Sequence, residues 1–360
     1  MRQKKQMKML GLLGLLAALP IISACAGNKG SDESRKEKMV QSVSVVQPIT
    51  GTWINLAYKD VRNKYTNPQH FDNMDPKLWT AKVRELANMG IEYLVFMEVA
   101  NEGKAYYPSK LMPWLYNDKL QSPVDAILDE AAKHGMKVFM STGWAKDQDD
   151  NLLDPVIKER QLQIMEELAS LYKNHKAFYG WYLPVEDCLC PIFAEHAVQS
   201  VNALTEKAHS LTPGKKTLIS PYGIGLSEFD HPDFEKQMAK LKVDIIAYQD
   251  EVGCVRDKFT LPRLKKNWQR MRDIHNRLNI EMWANCETFT WEEGTNDRQS
   301  ALIPAAYSRL LSQQVAASVA GVDKIISFMF GGIIEDPKSA YQLGQPAVSY
   351  THLRAHETLM

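Results

Sequence analysis

The 360-residue chain has no surplus of charge: 43 Lys and Arg stand against 43 Asp and Glu, and no basic stripe gathers anywhere along it. Nucleic acid, whose phosphates require a clustered positive surface, is therefore not an expected partner. Cysteine is sparse, five residues in all, and the two-residue spacer of a four-cysteine zinc site is missing. The nine His are scattered without metal-ligand spacing, and no Gly-rich phosphate fingerprint follows the first apolar strand. No metal and no cofactor are expected. Beyond the N-terminal region no apolar run reaches membrane length. No linker-like gap divides the pattern between about Gln47 and Asp336, so one domain is expected there.

What is present starts at the N-terminus. Arg2, Lys4, Lys5 and Lys8 precede an apolar run from Met9 to Ile22, which reads as a secretory signal too short to span a bilayer. Ile22-Ser23-Ala24-Cys25 then resembles the lipobox of bacterial lipoproteins, which implies that Cys25 is lipidated and that residues 1–24 are removed. Residues 25–46, polar and poor in aromatics, read as a flexible tether, residues 47–349 as the folded domain, and residues 350–360 as a tail foreign to the fold. The implied location is the cell envelope, with the chain held at a membrane through Cys25.

Eight apolar, β-branched and aromatic segments recur with helical segments between them: Gly51–Ala57, Ile91–Val99, Lys137–Trp144, Phe178–Val185, Lys216–Pro221, Val243–Gln249, Glu281–Glu287 and Lys324–Phe330. Asp75-Pro76, Ser122-Pro123, Asp154-Pro155 and His231-Pro232 read as helix starts, a polar residue followed by Pro at the first turn. Gly90 and Gly135 read as helix stops. Repeated βα units of this number predict an α/β fold, a closed (β/α)8 TIM barrel, over the alternative of an open doubly wound sheet. No periodic helix follows the eighth strand, so the barrel is expected to lack its last helix through truncation.

Active sites of this architecture lie at the C-terminal ends of the strands. Two Glu stand there, Glu186 after Trp181-Tyr182-Leu183-Pro184-Val185 and Glu287 after Met282-Trp283-Ala284-Asn285-Cys286. Alternation along a strand sends Trp181, Leu183 and Val185 outward, and with them Met282, Ala284 and Cys286. Tyr182, Glu186, Asn285 and Glu287 are then expected to point into the barrel mouth. Paired carboxyls are what glycosidic cleavage needs, one to protonate the leaving oxygen and one to attack the anomeric carbon or activate water.

These two positions resemble the retaining glycosidase clan, in which the fourth-strand Glu is acid/base and the seventh-strand Glu is the nucleophile. The motifs around them, with Tyr248-Gln249-Asp250 and Glu287-Thr288-Phe289, resemble an uncharacterised family of bacterial barrel lipoproteins grouped with glycosidase barrels. The resemblance spans roughly Thr52 to Phe330. One departure is Val185, where many clan members carry Asn. The resemblance implies a carbohydrate substrate and, at the end of the sixth strand, a Tyr (here Tyr248) bonded to the nucleophile.

Asn55, Glu98, Gln249 and Asp250 sit near strand ends as candidates for sugar hydroxyls, and Trp144, Tyr222 and Trp291 as aromatic faces for pyranose rings. The competing structural reading makes Glu186 and Glu287 salt-bridge partners, with Arg256 or Arg298. Cys188 or Cys190 bridged to Cys254 is the disulfide an exported protein would allow, and Cys286 is a core thiol. Hydrolysis by the Glu pair is the function expected. Its rivals are a non-catalytic glycan-binding barrel and a metal-dependent hydrolase built from Asp250, Glu251 and His231.

Overall fold

In the computed structural model, which describes residues 46–56, 64–65, 67, 74–143, 154–255, 260–294, 300–336 and 338–344, all eight expected strands form. They are β1 (Ile49–Ile54), β2 (Tyr93–Phe96), β3 (Lys137–Ser141), β4 (Phe178–Tyr182), β5 (Lys216–Ile219), β6 (Ile245–Gln249), β7 (Glu281–Glu287) and β8 (Lys324–Phe328). Each pairs in parallel with its sequence neighbours, and β1 closes on β8, so the sheet is a barrel in simple chain order. Six of the eight strands stop two or three residues short of their predicted ends. The expectations for Cys25, Trp144, Arg256, Arg298 and the two chain ends lie outside the described residues.

Between the strands run α1 (Pro76–Asn88), α2 (Pro123–Lys133), α3 (Pro155–Tyr172), α4 (Glu195–Leu211), the single turn α5 (Phe234–Met238), α6 (Leu261–His275) and α7 (Tyr307–Ala320). The start signals work as read: Asp75, Ser122 and Asp154 accept the amides of Lys77, Asp125 and Val156, with Pro opening each helix. His231-Pro232 is the exception, because α5 begins two residues later behind Asp233. Gly90 and Gly135, at φ of 83° and 68°, end α1 and α2 in the left-handed conformation that costs other residues strain. No helix among the described residues follows β8, and none is long and apolar enough to cross a membrane.

The barrel interior is filled from below by aromatics. Tyr93 of β2 meets Trp283 of β7 edge to face at 5.1 Å, and Phe139 of β3 lies 5.8 Å from the same indole. Because β2 and β7 are not neighbours, these contacts cross the interior, and they plug its N-terminal end. Two glycines make room for this packing. A Cβ on Gly51 would sit 2.5 Å from Ile326, and one on Gly180 would run into the Lys216 carbonyl and sit 2.9 Å from Phe139. The β3–β4 register slips at Gly180. A bulge there resets the alternation, so that Trp181 turns outward to donate to Thr212 on the helix side, and Tyr182 turns inward against Trp53.

The segment after β8 is tied to the start of the barrel by a buried ion pair. Lys82 of α1 and Glu335, both essentially inaccessible, lie 2.7 Å apart. Glu335 also accepts the amides of Gly332, Leu343 and Gly344. An unpaired charge at that depth would cost several kcal/mol, on the order of 3–5, so each partner holds the other in place.

Candidate active site

Above the aromatic floor the barrel opens at its C-terminal end into a cavity of about 310 Å3. Its volume is at the small end for ligand pockets, about 300–1,000 Å3. Glu186 and Glu287 both line it, with Asn55, Tyr182, Gln249 and Asn285 from the sequence-predicted set. Trp53, Met97, Ser220 and Cys254 line it as well, and Phe289, Leu302 and Phe328 complete the wall.

Glu287 reaches this place because β7 holds the predicted alternation over its full length, carrying Trp283, Asn285 and Glu287 inward. The residue is 5% exposed. One carboxyl oxygen, Oε2, accepts the backbone N–H of Cys254 at 2.6 Å. That approach requires the neighbouring Gly253, where a Cβ would meet the Phe289 carbonyl at 2.5 Å and Glu287 Oε2 at 3.0 Å. Burial pushes the Glu287 carboxyl up to about 8, and the nearby Asp250 charge pushes in the same direction.

Glu186 is placed differently. β4 ends at Tyr182, so Glu186 stands on the following loop rather than closing the strand as expected, and it is exposed. The inward turn of Tyr182 still brings it to the cavity, where Gln249 Nε2 donates to its Oε1 at 2.8 Å. Gln249 is itself fixed by donating to the Ser220 carbonyl at 3.0 Å. Neither Glu is bonded to an arginine side chain within the described residues. Arg309 of α7 instead donates to the backbone carbonyls of Glu287 and Phe289.

Several expectations need correction. Tyr248 does not approach Glu287. It points to the helix side, where its hydroxyl meets His275 Nε2 at 2.7 Å and its ring packs on Trp268. Burial lowers the His275 pKa to about 4, so the ring is neutral, donates from Nδ1 to the Ile280 carbonyl and accepts from Tyr248. Asp250 is fully buried behind Glu287 and is not a wall of the cavity. Glu98 is buried near Tyr106 and Tyr182 rather than at the cavity wall.

Tyr222, 40% exposed, lies close enough for the Glu186 charge to affect it but does not line the cavity. Trp291 belongs to a small antiparallel hairpin, Phe289–Trp291 with Leu302–Pro304, which walls the cavity through Phe289 and Leu302 rather than through the indole. Cys188 is bonded to Cys190, not to Cys254, which stays outside the disulfide. Cys286 is buried on the helix side, as expected. His231 lines a separate groove with Asp230 and Arg270, away from Asp250, and no three metal-ligating side chains come together among the described residues.

The sequence reading missed Trp53, although the same inward parity that carries Asn55, just past β1, would have found it. Its indole packs edge to face on Tyr182 at 4.6 Å. Trp53 Nε1 and Asn285 Oδ1 are buried at the cavity wall without hydrogen-bond partners among the described residues. Such atoms cost about 1–3 kcal/mol each if left unmet. Arg309 and Gln313, which brace the Glu287 backbone, were also missed. Their sequence signal is two long polar side chains four residues apart on the buried face of α7.

A closed parallel barrel of eight strands alternating with helices is a TIM barrel, and solved structures bear out the fold. A Bacteroides thetaiotaomicron protein provisionally named an alpha-L-fucosidase matches 87% of this chain and 94% of its own, with a TM-score of 0.65 and 21% identity. A GH99 endo-alpha-mannosidase of the same organism matches 86% of this chain and 96% of its own, with a TM-score of 0.54 and 13% identity. At these identities the likeness is one of fold alone.

The chain belongs to the family described as Domain of unknown function (DUF4434), whose model matches residues 49–341. A segment of 144 residues is 29% identical to the Escherichia coli (strain K12) protein named glycosyl hydrolase DigH, covering 36% of this chain and 32% of that protein. The match thus spans about a third of the curated relative's length.

Proposed function

We propose that the chain is a glycoside hydrolase in which Glu287 attacks the anomeric carbon and Glu186 is the acid/base, with retention of configuration. The observation that carries this reading is the meeting of the two carboxyls in one cavity at the C-terminal end of the barrel. Glu287 is buried and braced, which suits a nucleophile that must hold a fixed line of attack. Glu186 is exposed at the mouth, which suits a group that exchanges protons with water.

In the first step a Glu287 oxygen bonds to the anomeric carbon, the glycosidic C–O bond breaks, and the leaving oxygen takes the Glu186 proton. In the second, Glu186 removes a proton from water, whose oxygen displaces Glu287. The relative named a glycosyl hydrolase supports this chemistry at a distance. Envelope location through a lipid on Cys25 remains part of the proposal, and Cys25→Ala should move the protein from the membrane to the soluble fraction.

The deciding experiment uses activated aryl glycosides. Glu287→Ala should abolish turnover, and added azide should restore part of it as a glycosyl azide of inverted configuration. Glu186→Ala should keep more activity on activated than on unactivated substrates. Near wild-type rates in both variants would remove the pair from the mechanism. Binding without cleavage across a broad glycan panel would instead establish the barrel as a carbohydrate-binding protein.

A further inference from the structure

Behind Glu287, where the hydrolase reading assigns no role, lies a second buried carboxyl with an unusually complete set of donors. Asp250 follows β6 and is fully inaccessible. Four donors converge on it: the Glu287 N–H at 3.1 Å, the Val252 N–H at 3.3 Å, Gln313 Nε2 at 2.5 Å and the Cys286 thiol. Gln313 also donates to the Glu287 carbonyl at 3.2 Å. Asp250 therefore grips the Glu287 backbone from its amide directly and from its carbonyl through Gln313.

We infer that Asp250 is a positioning residue that fixes the Glu287 backbone and, as the anion of the buried pair, keeps the proton on Glu287 in the resting site. The donor count decides which carboxyl is charged. A carboxylate accepting several hydrogen bonds is stabilised as the anion, and two neighbouring carboxyls do not both ionise at little cost. Asp250 holds four donors, whereas Glu287 has the Cys254 amide.

The other charged or titratable groups around Glu287 are Glu251 and Cys254 on the loop after β6, Cys286 on its own strand, Glu186 and Tyr182 across the cavity and Arg309 on α7. Arg309 opposes the effect of Asp250 and Glu251 reinforces it. Burial acts on both carboxyls in the same direction and so does not choose between them. For catalysis, which rests on the hydrolase reading, the consequence is that Glu287 must release its proton to solvent before it attacks.

The inference is tested without substrate, by carbon NMR of the full chain carrying carboxyl-labelled glutamate, with Glu287→Gln assigning the resonance. The expected midpoint of Glu287 is about 8, and Asp250→Asn should bring it at least about one pH unit lower. A wild-type Glu287 already ionised at neutral pH overturns the inference, and so does an Asp250→Asn midpoint equal to that of wild type. If Asp250→Asn does not fold, the wild-type midpoint decides alone. Since the titration needs no turnover, failure to cleave any glycoside would sink the hydrolase reading and leave this one standing.

Discussion

The two cavity carboxyls are separated by how the protein holds them. Glu287 ends a seven-residue strand, is buried, and has its backbone clamped by Asp250, Gln313 and Arg309. Glu186 rides an irregular loop beyond a five-residue strand and is steadied by Gln249. Rigidity and solvent contact are thus dealt to different groups of one site, which is what a fixed attacking group and a proton-exchanging group respectively require. The difference also shows how a barrel makes two chemically identical residues unlike: the strand determines direction, and the layer behind it determines protonation.

The largest effect should come from removing either carboxyl itself. Glu287→Gln should cost about a thousandfold or more in kcat/KM, and Glu186→Gln about a hundredfold to ten-thousandfold on substrates with poor leaving groups. Equal losses from both variants on every substrate would erase the proposed division of roles.

Next in size is the brace. Gln313→Leu strips Asp250 of its shortest hydrogen bond, which should lower stability by about 1–3 kcal/mol. Thermal melts matching wild type would show that the clamp does not matter to the fold.

A third test uses pH. Glu287 ionises near its ordinary value of 4.5 in the unfolded chain but near 8 in the folded one. Below about 4.5 both states keep the proton, and above about 8 both have lost it. In between, the unfolded chain binds fewer protons, so this carboxyl makes the wild type less stable as pH rises. The melting temperature of Glu287→Gln relative to wild type should therefore climb from pH 5 to pH 8. A difference that stays level would mean the buried seat does not burden the wild-type carboxyl. The smallest effect is expected of Trp53→Phe, which keeps an aromatic ring at the cavity wall but gives up part of the indole surface there. A loss of about 1 kcal/mol corresponds to a several-fold rise in KM with kcat nearly unchanged.

Much of this was legible in the sequence because strand alternation is a strict rule. Met282-Trp283-Ala284-Asn285-Cys286-Glu287 needs only the period of two to place Asn285 and Glu287 inward, and β7 obeys it throughout. At Tyr248-Gln249-Asp250 the expectation for Tyr248 came from the family resemblance rather than from this rule, and it failed. There Gln249 turns inward and Tyr248 outward, while Asp250, just past the strand, folds back behind β7. Whether a carboxylate faces substrate or backs another carboxylate depends on α7, where Gln313 stands 63 residues further along the chain. Local pattern carries no information about that distance. The Cys188–Cys190 bond was missed for a related reason, since proximity in the fold was weighed over proximity in the chain.

The ion pair of Lys82 with Glu335 has a consequence for the order of synthesis. As the chain leaves the ribosome, α1 appears early with a lysine that has Glu85 beside it and awaits an acid more than 250 residues downstream. Through that interval β1 lacks the partner that closes the sheet, because β8 is made more than 260 residues after it. A nascent barrel of seven strands is an open sheet with two bare edges, the form most exposed to mispairing and to capture by neighbouring chains. Closure and neutralisation of Lys82 arrive nearly together, within the stretch from Lys324 to Glu335. The nascent chain must therefore be sheltered until the stretch from Lys324 to Glu335 has been made.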